Sequence, residues 1–266
     1  MQPFPIFALV AAATWDAWRW YVGRVSAAPE EAAALVLTVA FLGVVGLARR
    51  HRSADACTTA VWPVAVLLAS YAATHAILPP IVRAAGAVTL TLFCLHVAVF
   101  RERPPIAFWG LVALAFPVLP SLHFMLGYPM RIVSAALTVG LLQLHGLAIE
   151  RQGTFLVWGE EMIQFDAPCS GVNMLWAGLL LTLMGCVLLR LGVLKVMAAV
   201  ALSVVIVISG NVLRAASLFY VEVGLVPQPS GWWHEGIGIA AFCLSAAAIH
   251  WTLTRLHRGE TIRCTN

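Results

Sequence analysis

Asp166-Ala-Pro-Cys-Ser-Gly-Val-Asn173 stands where a polar segment gives way to a long apolar run. Upstream lie Arg151, Gln152, Glu160, Glu161 and Gln164; downstream, residues 172–189 carry no charge. Pro168 and Gly171 flank Cys169 and Ser170, so the backbone turns sharply there. A membrane helix can then start at about Val172. That puts Cys169 at the mouth of a helix, near water rather than lipid. Free N–H groups and the helix dipole favour a thiolate in such a position. Taken alone, a cysteine in so apolar a chain is a packing residue. The flanks of Cys169, and the residues downstream of it, argue otherwise.

The same alternation of polar seam and apolar run repeats along the chain. Of its 266 residues, 61% are hydrophobic and 11% charged, whereas a soluble domain carries about 25% charged residues. The composition excludes a soluble protein. It predicts an all-α polytopic membrane protein with one integral membrane domain. The net charge of +4 sits in short loops, where it sets orientation rather than marking a nucleic-acid partner. Six cysteines occur, with no Cys-x-x-Cys pair, so no zinc or thioredoxin signature is present. Cys94, Cys186 and Cys243 lie in apolar runs and read as packing residues; Cys57 and Cys264 flank charged loops and read as reduced and cytoplasmic. The opening Met1-Gln-Pro-Phe-Pro5 has no basic residue, so the first apolar run reads as a retained helix rather than a cleaved signal.

Apolar runs long enough for the bilayer fall near 4–22, 31–48, 60–78, 84–100, 105–126, 131–149, 172–189, 194–222 and 236–255. The first is weak. Asp16 and Arg19 lie in it beside Trp15, Trp18 and Trp20, which reads as an interfacial belt. The basic loops at Arg49-Arg-His-Arg52, Arg101 and Arg103, Arg190 and Lys195, and the Arg255–Arg263 tail should all be cytoplasmic. An even number of crossings must therefore separate Arg103 from Arg190, although three apolar runs lie between them. Either 105–126 is re-entrant, broken at Pro117 and Pro120, or 131–149 lies on the outer surface. Both solutions give about eight crossings, cytoplasmic termini, and a Cys169 that faces outward. Residues 152–167 are polar, and Thr154–Trp158, Gly159-Glu160 and Met162–Phe165 read as two short strands around a turn. A small extracytoplasmic hairpin should thus precede Cys169.

Three reactive side chains converge in this topology. From Gly171 down to Arg190 is about 19 residues, and from Lys195 up to Arg214 is about 19 more, each roughly 28 Å of helix. Arg214 therefore returns to nearly the depth of Cys169. His234, in Trp232-Trp-His-Glu235, enters the last helix on the same side. Each signal has a bland counterpart: Arg214 could snorkel, and His234 beside two tryptophans could be a belt residue. Yet an arginine within an apolar run is costly, and Asn211 lies one turn before it on the same face. The set outweighs its members.

With those residues in view, the chain resembles the exosortase/archaeosortase family of membrane-embedded cysteine transpeptidases. The matching pieces are Ala167-Pro-Cys169-Ser-Gly171, Asn211-Val-Leu-Arg214, and His234-Glu-Gly-Ile-Gly238 running to Phe242, with Gly127-Tyr-Pro-Met-Arg131 upstream. The similarity covers roughly residues 105–255, leaving 1–104 as N-terminal helices and 256–266 as a cytoplasmic tail. One departure is Asn173, where relatives commonly carry a basic residue.

The resemblance implies a protein of the cytoplasmic membrane with its active site outside. It implies an exported substrate whose C-terminal sorting tail has a short motif (of the PEP-CTERM kind), a transmembrane helix and a basic end. The substrate is cut and passed to an acceptor lipid or polymer. Cys169 would be the nucleophile and form a thioester, His234 the general acid or base, and Arg214 the oxyanion partner. Asn211, Ser170, Asn173, Glu235, Asp166 and Arg131 would support them, and Asp166, Glu222 or Glu235 would orient Arg214 or His234. No metal or cofactor is implied. Residue chemistry agrees: a nearby cation lowers a thiol pKa, a fixed donor acts where charge develops, and imidazole gives and takes protons near neutrality.

Two other classes compete. A non-catalytic transporter or assembly factor would also place ionisable residues in the membrane, but no paired inverted halves are present. A membrane metalloprotease or serine protease lacks its signature here, with no His-Glu-x-x-His and no Gly-x-Ser-x-Gly at Ser170.

Overall fold

The computed structural model describes residues 9–27, 33–49, 61–100, 104–116, 119–164, 170–226 and 232–261. Helices dominate, and the chain divides into two compact units, Met1–Val118 and Leu119–Asn266. The chain is a multi-pass membrane protein by its apolar helices. Five are long and apolar enough to cross a bilayer: Pro80–Val97, Leu119–Leu144, Val172–Leu189, Val193–Glu222 and Trp233–Arg258. Three shorter apolar helices span Leu35–Val45, Val64–Thr74 and Ile106–Ala115.

In the first unit a helical segment over 9–13 leads into α1 (Trp15–Ala27), followed by α2 (Ala33–Arg49), α3 (Val61–Thr74), α4 (Pro80–Phe100) and α5 (Ile106–Ala115). Pro80 opens α4, where its missing N–H has no helical partner to lose. α4 is the element the others pack on, through Ala87, Leu90, Phe93 and Cys94 against Val10, Ala17, Val64 and Tyr71. Asp16 joins α1 to the start of α4 and the end of α3. Its Oδ2 accepts from Arg83 Nη1 at 2.8 Å and from His75 Nε2 at 2.9 Å. The Asp16 carboxylate is about half exposed, so each of these ion pairs is worth at most about 1 kcal/mol.

The run 105–126 is interrupted beside Pro117, where one of the two alternatives broke it, and the next helix begins earlier than the expected 131. The break comes after Ala115, not near 127–130. Phe116 is extended (φ −79, ψ 153) because Pro117 follows and disfavours the helical region for its neighbour. α6 (Leu119–Leu144) then runs unbroken through Gly127-Tyr-Pro-Met, with Pro129 inside it. Pro120 sits in its first turn, where a proline costs nothing.

The second unit continues with β1 (Glu150–Gln152), β2 (Phe155–Trp158), β3 (Glu161–Gln164), α7 (Val172–Leu189), α8 (Val193–Glu222) and α9 (Trp233–Thr261). The expected hairpin is present as β2 and β3, and β1 adds a third antiparallel strand in the order β1-β2-β3. Gly153 (φ 64) and Gly159 (φ 62) begin its two-residue turns. Leu156 and Ile149, both 1% exposed, close onto Ala135, Val139 and Leu142 of α6 and Ala215, Ala216 and Phe219 of α8. Trp158 lies edge-on to Phe219 at 6.1 Å.

α7, α8 and α9 pack closely because glycines face bulkier partners. A Cβ on Gly178 would meet Val207 at 2.7 Å, and one on Gly210 would collide with Ser245 Oγ. Small residues let membrane helices approach where no water-driven force acts between them. Thr182 and Ser203, both buried, share a 2.6 Å hydrogen bond across α7 and α8. Leu194, Met197, Val205 and Leu213 leave α8 with an exposed apolar side suited to lipid.

Candidate functional site

The site is built where α7 begins. Gly171 is its N-cap residue, with φ 77, a left-handed conformation that favours glycine. Ser170, 1% exposed, accepts the Val172 N–H at 3.3 Å, and Gly171 O accepts the Leu175 N–H at 2.8 Å. The turn is therefore bonded on both sides. A Cβ at 171 would stand 2.8 Å from the Asn211 carboxamide. Asn211 fills that space. It is 1% exposed, and its Nδ2 donates to Ser134 Oγ at 3.0 Å. A buried amide needs such a partner. One chain of contacts thus joins the first residue before α7, the middle of α8 and the middle of α6.

Arg214 follows Asn211 by one helical turn and so shares its face. The guanidinium lies against α9: a Cβ on Gly238 would be 3.4 Å from Arg214 Nε and 4.0 Å from Cζ. Gly238 is four residues after His234 in α9, and residues so spaced are neighbours on one helix face, about 5–6 Å apart. Arg214 therefore sits within one turn of the exposed His234. Of the two polar residues on this face of α8, it is Asn211 that meets Gly171.

The remaining expected residues are distributed as follows. Cys169 and Asp166 lie outside the described residues. Asn173, exposed in the first turn of α7, accepts a 2.8 Å hydrogen bond from His123 Nε2 of α6. Glu235 is exposed in the first turn of α9, an end that favours acidic residues, and Glu222 is the exposed last residue of α8. Arg131 turns back on its own helix, with Nε donating to Gly127 O at 3.3 Å and Cζ 5.8 Å from the Tyr128 ring centroid. Beside His234 the Trp232 and Trp233 rings stack at 5.6 Å.

Sequence reasoning did not assign Ser134 or His123 to the site. Around Ser134 the sequence shows only a partly polar helix side with Arg131 and Thr138, which does not name Asn211 as a partner. His123 lies in an apolar run, with nothing local to mark its partner.

The Asn211 carboxamide thus borders the turn that follows residue 169, and the Arg214 guanidinium, one helical turn on, lies against the face of α9 that carries His234. Such a set can hold a polarised carbonyl and move a proton. No curated protein and no solved structure matches the chain. The family model described as transmembrane exosortase matches residues 5–251, nearly the whole sequence, and the chain belongs to that family.

Proposed function

We propose that this exosortase is a cysteine transpeptidase that removes the C-terminal sorting tail of exported proteins. The observation that carries the reading is the packing of Asn211 on Gly171 together with that of Arg214 on the His234 face of α9. Cys169 is two residues before Gly171 in the sequence. The basic loops support an orientation with both termini cytoplasmic, about eight crossings, and the site at the outer face of the cytoplasmic membrane.

In the reaction His234 takes the Cys169 thiol proton, and sulfur attacks the scissile carbonyl carbon. Negative charge moves to the carbonyl oxygen, where Arg214 stabilises it. The intermediate collapses to a thioester as the C–N bond breaks, and the leaving amine takes the proton from His234. A nucleophile on the acceptor lipid or polymer then attacks the thioester, gives its proton to His234, and releases the thiolate. Asn211 holds the turn; Ser170, Asn173, Glu235, Asp166 and Arg131 are supporting residues.

The test is mass spectrometry of tail-bearing exported proteins from cells with the native protein and with Cys169→Ala. Native cells should yield a shortened chain carrying an added group, and the variant only uncut substrate. Equal processing in both would sink the reading.

A further inference from the structure

β3 ends at Gln164, five residues before Cys169, and forms one edge of the sheet. The turn fixes which of its backbone groups face outward. Trp158 pairs with Glu161 across the two-residue loop Gly159-Glu160, and such a closing pair exchanges both hydrogen bonds. Alternation makes Leu156 and Ile163 the next bonded pair. The N–H and C=O groups of Met162 and Gln164 therefore point away from β2. Among the described residues no strand pairs with that edge. Met162 is 58% exposed, and Glu161 and Gln164 are exposed.

The opposite edge is different. On β1 only Arg151 presents its backbone outward, and its guanidinium Nη1 folds onto Gly153 O at 2.9 Å. Proteins usually blunt free edges with proline, lysine or a covering element. β3 has neither proline nor lysine. An edge with no partner among the described residues, five residues before Cys169 in the sequence, is suited to strand addition, in which backbone bonds supply affinity and alternate side chains supply selectivity.

We propose that the free edge of β3 receives the extended segment of the exported substrate, which pairs with Met162 and Gln164 and is led along the strand toward Cys169. This rests on the transpeptidase reading. It adds to that reading a surface and a partner geometry: an extended peptide on the outer side of its own membrane helix. Glu160 and Glu161 at the turn favour a substrate without acidic residues at that end.

The experiment uses the full-length protein in membranes with a tail-bearing substrate. In a Cys169→Ala background, Glu161→Cys and Ile163→Cys are each combined with single cysteines scanned along the substrate. Both positions would be non-hydrogen-bonded to the added strand, where side chains are closest. A disulfide should form at one substrate position for Glu161→Cys, and two residues away for Ile163→Cys. In parallel, Met162→Pro removes the outward N–H while sparing the β2 ladder. It should raise KM about fivefold with a smaller change in kcat, as loss of a backbone bond worth about 1 kcal/mol predicts. Arg151→Pro on the opposite edge should leave KM unchanged.

Processing by the native protein with unshifted cross-links and an unaltered KM would overturn strand addition while leaving the transpeptidase intact. Cross-links between two copies of the protein, and none to substrate, would assign the edge to self-association and overturn it likewise. Absence of processing by the native protein would overturn both proposals.

Discussion

The Asn211 carboxamide occupies the space that a side chain on Gly171 would need, at 2.8 Å from the Cβ position. Gly171 is also left-handed, with φ 77. Two independent constraints therefore demand glycine, one from backbone sterics and one from packing. Gly171→Ala must both strain the turn, by about 1–2 kcal/mol, and push Asn211 from Ser134. Because the displaced turn follows the proposed nucleophile Cys169, the damage should appear in chemistry before stability. A misplacement near 1 Å costs about a hundredfold in rate. The expected result is near-complete loss of substrate cleavage with normal membrane levels. Retained cleavage would detach this turn from catalysis.

Arg214 and Gly238 make a graded test. A Cβ at 238 meets Arg214 Nε at 3.4 Å, an ordinary van der Waals distance, so Gly238→Ala should keep most activity. Gly238→Leu must move the guanidinium and should lose it. Arg214→Lys should also impair cleavage, because a point charge on a flexible stem does not replace a planar fork. Processing rates, measured at matched membrane levels, should be near native for Gly238→Ala and well below it for Gly238→Leu and Arg214→Lys. A harmless Gly238→Leu would mean that the Arg214 contact with α9 plays no part.

Much of this site can be read from residue types at fixed spacings. Asn211 and Arg214 share a face because helical geometry leaves no alternative, and the Gly159-Glu160 turn announces the hairpin. Other features have no local signal. The Asn211–Ser134 bond joins residues 77 apart and the His123–Asn173 bond residues 50 apart; only the folded chain pairs them. Pro129, in the gap between the apolar runs 105–126 and 131–149, is a different case. Proline is a helix breaker in water, yet neighbouring groups can re-satisfy the backbone in a membrane helix, and α6 passes through it. β1 was missed because Glu150, Arg151 and Gln152 are all exposed, which leaves no apolar alternation to read.

His123 offers the first turn of α7 an imidazole where the chain has Asn173. Its Nε2 donates to Asn173 Oδ1 at 2.8 Å. If the pair serves the reaction, it should behave as one unit. His123→Ala and Asn173→Ala should each lower kcat/KM, and the double variant should be little worse than either. The expected coupling is about 0.5–1.5 kcal/mol, the usual net value of such a bond. Strictly additive losses would show that the two side chains act separately.

Thiol chemistry and metal chemistry part company under inhibitors. A nucleophilic cysteine must be a thiolate when it attacks, so a membrane-impermeant alkylating reagent should reach an outward-facing Cys169 and abolish processing. Cys94 and Cys186 are buried among helices, so rapid inactivation cannot come from them. Cys243 is exposed in α9, and Cys243→Ala therefore belongs in the experiment as the control that leaves inactivation unchanged. Prior occupancy by a tail-bearing substrate should slow inactivation, since substrate and reagent would compete for the same sulfur. Chelators should have no effect. Inhibition by a chelator alone, with the alkylated protein still active, would replace the thioester mechanism with a metal-assisted one.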